Sequence, residues 1–341
     1  MGLHQQLPGL DLDRLGAWLS TTVPGAGGGL HATLIAGGKS NLTYLVGDGR
    51  SEWIVRRPPL GHVLATAHDM TREYRVMAAL QDTDVPVPTT YALCEDDAVI
   101  GATFYVMERC PGTPYRDAAE LEALGPERTR AISERLVDTL AALHQVDPAA
   151  VGLADFGRPE GFLARQVARW KKQMDASHTR DLPAATELHA RLAASIPDEG
   201  APGIVHGDFR LDNVLVEDGA RLTAVLDWEM ATLGDPLTDL SLMLTYHRLG
   251  TSGIEAVSTV SAAPGFLTER EIIDRYAAGS ARDLSHFGFY LGLAAFKLAA
   301  ILEGIHYRFL AGQTVGDGFD DIGAVIPPLL DAGLTAMKEN C

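Results

Sequence analysis

His206-Gly207-Asp208-Phe209-Arg210-Leu211-Asp212-Asn213 runs into Val214-Leu215-Val216 and, after a turn, into Val225-Leu226-Asp227-Trp228-Glu229. Short apolar, β-branched runs bounded by turn residues read as a loop, a strand, a turn and a second strand. The loop carries an Asp with an Asn five positions later, and the second strand ends on another Asp fourteen residues beyond that Asn. Any one of these side chains taken alone has a bland reading, since Asp and Asn are ordinary turn and capping residues. The ordered set His-x-Asp-x4-Asn followed by apolar-apolar-Asp is far narrower, and it reads as chemistry.

Phosphoryl transfer asks for such a set. Little covalent work falls to the protein; it needs a carboxylate to orient an attacking hydroxyl and take its proton, and oxygen ligands for a Mg²⁺ that bridges the phosphates. Asp208 answers the first need and Asn213 with Asp227 the second, the intervening hairpin being expected to bring both to one ion.

Outward from this centre the chain has two characters. Leu30–Ile35, Leu42–Val46, Trp53–Val55 and Gly101–Met107 are strand-like, with Val46-Gly47-Asp48-Gly49-Arg50 as a hairpin turn and one helical pattern over Ala67–Leu80. After Pro111-Gly112 the periodicity is helical over Pro126–His144, Gly161–Met174, Ala184–Ile196 and Leu284–Phe309. A β-rich first third joined to a helical remainder is an α+β arrangement, with a nucleotide-binding lobe expected over 1–107 and a helical lobe over 108–341.

Val205 to Leu244, including Gly234-Asp235-Pro236-Leu237-Thr238-Asp239-Leu240, resembles the aminoglycoside phosphotransferase, choline kinase and homoserine kinase superfamily. It is most similar to the branch found fused to, or encoded beside, acyl-CoA dehydrogenases, and the resemblance runs from about Ala36 to about Leu310. It implies a protein-kinase-like two-lobed fold, ATP and Mg²⁺ as cofactors, and a small-molecule hydroxyl as acceptor. Asp208 is then the catalytic base, Asn213 and Asp227 bind metal, and a functional link to an acyl-CoA dehydrogenase is expected. Glu229 either holds a second ion or the substrate, or is an exposed carboxylate at a helix start, where the helix dipole favours it. Asp235 and Asp239 read as structural, capping the next helix and bracing the catalytic loop.

Gly37-Gly38-Lys39-Ser40-Asn41 lies between two strand-like runs and is expected to fold over phosphates with its backbone N–H groups. Its Gly-Lys-Ser does not make a Walker A loop: Thr33 stands where the first glycine is required, and a strand rather than a helix comes next. Kinase-like lobes place a cation on the third strand, fixed by a Glu on the next helix. Here Arg56 takes a position that the superfamily commonly gives to Lys, Glu73 is its partner, and strand alternation turns Arg57 to the other face. A solvated, charged edge strand is the competing reading of the two arginines. Phe104 to Gly112 resembles the inter-lobe hinge, with adenine expected on backbone groups around Glu108 and Cys110 and Met107 lining the slot.

Arg165, Arg169 and Lys172 share one helix face by their spacing, either as a solvated stripe or as the seat of an anionic substrate tail. The branch resemblance favours a hydroxyacyl-CoA-type acceptor. An aminoglycoside antibiotic, which prefers acidic walls, is the alternative, and a catalytically silent nucleotide-binding module is a third reading. The net charge of −17 argues against nucleic acid or an anionic membrane as partner. Three scattered cysteines suggest no disulfide framework, so a cytoplasmic location is expected. The most apolar stretch, Phe287–Ile305, is interrupted by Lys297 and Glu303 and reads as a buried helix rather than a membrane span.

Overall fold

The computed structural model describes residues 7–35, 41–60, 69–198, 200–251, 258–314, 319 and 321–339. Of the expected phosphate loop, Gly37, Gly38, Lys39 and Ser40 lie outside the described residues and Asn41 lies inside them. The chain divides into two compact units: Met1–Gly112 with Thr223–Ala231, and Thr113–Leu222 with Thr232–Cys341. The first unit thus reaches Gly112 rather than 107, and it includes the segment around Asp227. That segment is tied in by hydrogen bonds: the Val225 N–H donates to Pro86 O at 2.8 Å, Thr223 Oγ1 donates to Pro111 O, and Arg72 donates to Ala231 O at 3.1 Å.

In the first unit the order is α1 (Leu12–Thr22), β1 (His31–Leu34), β2 (Leu42–Gly47), β3 (Glu52–Arg57), α2 (Met70–Leu80), β4 (Thr90–Cys94), α3 (Asp97–Ile100) and β5 (Phe104–Glu108). The strands form one antiparallel sheet in the order β1-β2-β3-β5-β4. Asp48 closes the β2–β3 turn by accepting from the N–H groups of Arg50 and Ser51, each at 2.8 Å, around Gly49 in the left-handed region.

Alternation along β3 sends Trp53 and Val55 into a core with Tyr44, Val46, Phe104, Val106 and the α1 residues Leu15 and Leu19. β3 is therefore an interior strand, which removes the solvated-edge reading of its arginines. Arg57 is buried on the α1 side, donating to Ile100 O at 2.8 Å and to Gly9 O. Arg56, one residue earlier, faces the opposite way. Burial of Val76, Met77 and Leu80 seats α2, and Asp69 caps it by accepting from the Arg72 N–H.

The rest of the chain is α4 (Ala118–Glu122), α5 (Pro126–Gln145), α6 (Phe162–Ala176), α7 (Pro183–Ala194), β6 (Gly203–Val205), β7 (Val214–Glu217), β8 (Arg221–Val225), β9 (Thr232–Gly234), α8 (Leu237–Thr251), α9 (Glu269–Gly279), α10 (Phe287–Leu310) and α11 (Ile322–Glu339). The boundary between the units falls within β8. In the second unit α10 is the central helix, packed by α6, α8 and α11. It is long and apolar enough to cross a membrane, but 83% of that window is buried inside the protein, so its apolar character is spent on packing. Glu303 is tolerated there because it accepts from the Thr179 N–H at 3.2 Å and from Arg180 at 3.4 Å. β6 pairs antiparallel with β9, Ile204 opposite Leu233, and delivers the chain to His206.

Candidate functional site

Gly207 has φ +88, a conformation that L side chains rarely adopt, and it turns the chain from β6 into the loop. Asp239, in the first turn of α8 and fully buried, holds that turn. Its Oδ2 accepts from the His206 N–H at 2.6 Å and its Oδ1 from the Gly207 N–H at 2.7 Å. His144 Nε2 stands 3.4 Å from Asp239 Oδ2, and its Nδ1 lies 2.7 Å from the Tyr276 hydroxyl. Burial works against the charge of Asp239, but the hydrogen bonds and nearby imidazoles of His144 and His206 hold its carboxyl below the ordinary value. Asp235 is likewise structural, accepting from the Leu237 N–H at 3.0 Å and the Tyr290 hydroxyl at 2.7 Å.

The loop brings Asp208 and Asn213 together. Asn213 Nδ2 donates to Asp208 O at 2.9 Å and to Asp208 Oδ2 at 3.1 Å, which leaves the Asn213 carbonyl oxygen for an electropositive ligand. The Asp208 N–H donates to His206 Nδ1 at 3.2 Å, so His206 is a packed, acceptor-bearing loop organiser. Arg210 Nε lies 3.4 Å from Asp208 Oδ2 and its Nη1 3.3 Å from Asp212 Oδ2. The guanidinium also lies 4.9 Å over the Tyr246 ring, and Asp208 acts electrostatically on the Tyr246 hydroxyl. Burial first, and Asp208 second, push that phenol well above its ordinary value and keep it a donor.

A second polar cluster sits in the first unit, where Arg56 pairs across strands with Tyr105. Arg56 Nε lies 2.9 Å from Glu73 Oε2, and Arg56 Nη2 lies 2.7 Å from Asp227 Oδ1. Tyr105 donates to Glu73 Oε2 at 2.9 Å, while Asn41 Nδ2 donates to Glu73 Oε1 at 2.9 Å and to Glu229 Oε2 at 3.3 Å. Burial disfavours the Arg56 cation, but Glu73, Tyr105, Asp227 and Glu229 together raise its pKa above the ordinary value. Burial pushes the Glu73 carboxyl up to about 7, against the pull of Arg56. Asp227 has φ +65, an uncommon conformation for a residue with a Cβ, and the adjoining Trp228 indole is anchored on Val225 O at 3.0 Å.

These donors suit Mg²⁺. Carboxylate and amide oxygens are the hard ligands that ion takes, and it keeps most of its coordination for water and phosphate. Among the described residues no group of three or more His, Cys, Asp and Glu side chains forms a self-sufficient metal site.

Of the expected adenine contacts, Met107 is buried and Glu108 half-buried; the Glu108 N–H donates to Thr89 O at 2.8 Å, so that donor is already engaged. Burial, and then Glu108, push the Cys110 thiol up to about 12, which makes it inert as a nucleophile. Arg165 ties the start of α6 by donating to the carbonyls of Arg158 and Glu160, whereas Arg169 is exposed and lies 5.1 Å over the Trp170 ring. Sequence alone does not single out Tyr105, Arg210, Tyr246 and Lys297 as site residues. Arg210 lies within the decisive loop, but the others enter through strand register and helix packing.

A model of the phosphotransferase enzyme family (APH) matches residues 31–273. Acyl-CoA dehydrogenase family member 11 of Gallus gallus is 34% identical over 343 residues, covering 96% of this chain and 44% of that protein. Family member 10 of Mus musculus is 37% identical over 283 residues, covering 81% of this chain and 26% of that protein. The chain therefore spans less than half the length of these relatives. A solved structure from Ralstonia eutropha JMP134, provisionally described as an aminoglycoside phosphotransferase, superposes with a TM-score of 0.85 at 35% identity, covering 96% of this chain and 98% of that one. The aminoglycoside phosphotransferase APH(4)-Ia, in a ternary complex with AMP-PNP and hygromycin B, gives a TM-score of 0.63 at 16% identity over 94% of this chain and 98% of that one, a likeness of fold.

Proposed function

Because the chain belongs to the phosphotransferase enzyme family, we propose that it moves the γ-phosphate of ATP onto a hydroxyl of a small molecule with Mg²⁺ as cofactor. The observation that carries this reading is the Asp208–Asn213 pair on a loop held from behind by Asp239. Asp208 is the base that orients the acceptor hydroxyl and takes its proton. Asn213, through its free amide oxygen, and Asp227 are the metal ligands; bound Mg²⁺ neutralises charge on the phosphates. Arg56, held by Glu73, contacts the phosphates, and Glu229 holds a second ion. Asn41 sets the end of the phosphate loop, and the chain from Met107 to Cys110 takes the adenine.

For the acceptor we favour a hydroxyacyl-CoA-type metabolite, in functional partnership with an acyl-CoA dehydrogenase in the cytoplasm. Support comes from the relatives' names and from the exposed cation Arg169, which suits an anionic substrate better than a polycationic one. The aminoglycoside reading is supported by the description of the Ralstonia structure. Mg²⁺-dependent ATP consumption with a panel of hydroxyacyl-CoA esters and aminoglycosides tests the proposal. Turnover with CoA esters, lost in Asp208→Ala, is expected. Turnover with aminoglycosides alone overturns the acceptor, and equal ATP hydrolysis by wild type and Asp208→Ala overturns the enzyme reading in favour of a silent module.

A further inference from the structure

Lys297 is the cation that interrupts the apolar run of α10, and the phosphoryl-transfer chemistry of Asp208, Asn213 and Asp227 gives it no part. It is half-buried, its ammonium lies 5.6 Å from the centroid of the Trp170 ring on α6, and Nζ donates to Gly207 O at 2.8 Å. The same glycine is held on its other side: its N–H, and that of His206, donate to the Asp239 carboxylate at 2.7 and 2.6 Å. A carboxylate from α8 and an ammonium from α10 thus grip the N–H and C=O of one residue. Both contacts are charge-assisted hydrogen bonds, shorter and stronger than neutral ones.

The gripped residue is the one that most needs it. Gly207, at φ +88, has no side chain to select its conformation, and it is followed directly by Asp208. A rotation of its peptides would swing the Asp208 carboxylate away from the position that Asn213 otherwise defines. Burial lowers the pKa of Lys297, with Asp239 and Asp208 opposing the shift and Arg169 adding to it. A Leu or Met would fill this helix position without the desolvation that an ammonium suffers. The charge is therefore explained by what it holds.

We propose that Lys297 is a positioning residue which, opposite Asp239, clamps the Gly207 peptide groups and so fixes the aim of Asp208. The kinetic half of this inference rests on the phosphotransferase reading; the structural half does not. The test compares Lys297→Met and Lys297→Arg in the full chain, by amide hydrogen exchange and by Mg²⁺-dependent hydrolysis of ATP with water as acceptor. In Lys297→Met, exchange at residues 206–209 is expected to quicken about tenfold or more with α5 and α11 unchanged. kcat should fall about 10- to 100-fold, the scale of a misplaced catalytic group, with KM for ATP unaltered. Lys297→Arg should restore both in part. Unchanged exchange in the loop, protection lost throughout the second unit, or a change confined to KM overturns the proposal. A wild-type protein that hydrolyses no ATP overturns the phosphotransferase reading instead, and the exchange data alone then decide the clamp.

Discussion

Arg56 ties Asp227 to Glu73, with Nη2 2.7 Å from the Asp227 carboxylate and Nε 2.9 Å from that of Glu73. A lysine presents its three donors from one nitrogen, whereas the guanidinium meets the two carboxylates through separate nitrogens. The arginine that departs from the superfamily's usual lysine is thus a fitted part of this cluster rather than a sign of decay. Arg56→Lys should fold and keep one of the two contacts, raising KM for ATP about tenfold, the scale of one charged hydrogen bond. Arg56→Met leaves Glu73 and Asp227 without their cation and should cost roughly 3–5 kcal/mol, the usual result of breaking a buried ion pair from one side. Urea unfolding checks the second figure, and steady-state kinetics the first.

Glu73 gives the cluster a pH dependence whose sign is fixed by burial. Its folded-state pKa of about 7 lies above that of the unfolded chain. Between a value of about 4.3 and that raised value the native state binds more protons than the unfolded one, so the Glu73 contribution to stability falls as pH rises. The stability of wild type minus that of Glu73→Gln should therefore decline across this window and level off above it. Denaturant unfolding at a series of pH values measures the difference; a flat profile refutes the assignment.

Much of this is legible in the sequence because the decisive parts are local. The loop from His206 to Asn213 and the alternation that separates Arg56 from Arg57 depend on neighbours along the chain, and both appear in the structure as their spacing suggests. The strand β4 is masked by the breaker Val85-Pro86-Val87-Pro88 just before it, and α11 is hidden by Pro327 and Pro328 inside the helix. The grouping of Thr223–Ala231 with the first unit depends on hydrogen bonds to Pro86 and Pro111, more than a hundred residues away. Lys297 stands out as an anomaly in an apolar run, but its partner at Gly207 is set by helix packing that no periodicity encodes.

Asp208→Asn removes the proposed proton acceptor and keeps the shape. Asn213 can still donate to the remaining carbonyl oxygen, so folding and ATP affinity should be preserved. kcat should fall about 10²- to 10⁴-fold, the span for a general base. Isothermal titration with ATP beside turnover separates the two effects. A rise in KM with kcat intact removes Asp208 from that role.

Asp239→Ala strips the acceptor from two buried N–H groups and from His144 at once. Unsatisfied buried donors cost about 1–3 kcal/mol each, so a loss of roughly 2–5 kcal/mol is expected together with a fall in kcat. Asp239→Asn keeps one acceptor oxygen and should lie between the two. Thermal unfolding ranks the three proteins; Asp239→Ala as stable as wild type rules out the bracing role.

Arg165 and Arg169 lie on one helix face, yet they have different duties. Arg165 is engaged by the carbonyls of Arg158 and Glu160, whereas the exposed Arg169 lies over Trp170 and interacts with Lys297. Reversing the charge at each therefore separates stability from acceptor binding. Arg165→Glu loses the tie at the start of α6 and should lower Tm by a few degrees, about 1 kcal/mol, with KM little changed. Arg169→Glu should leave Tm alone and raise KM for an anionic acceptor about 5- to 10-fold, an effect that weakens as salt screens the charge. With a cationic aminoglycoside the same reversal should lower KM. Acceptor kinetics at two ionic strengths distinguish the cases, and an Arg169→Glu protein with unchanged KM for every acceptor would leave that residue as a solvated surface charge.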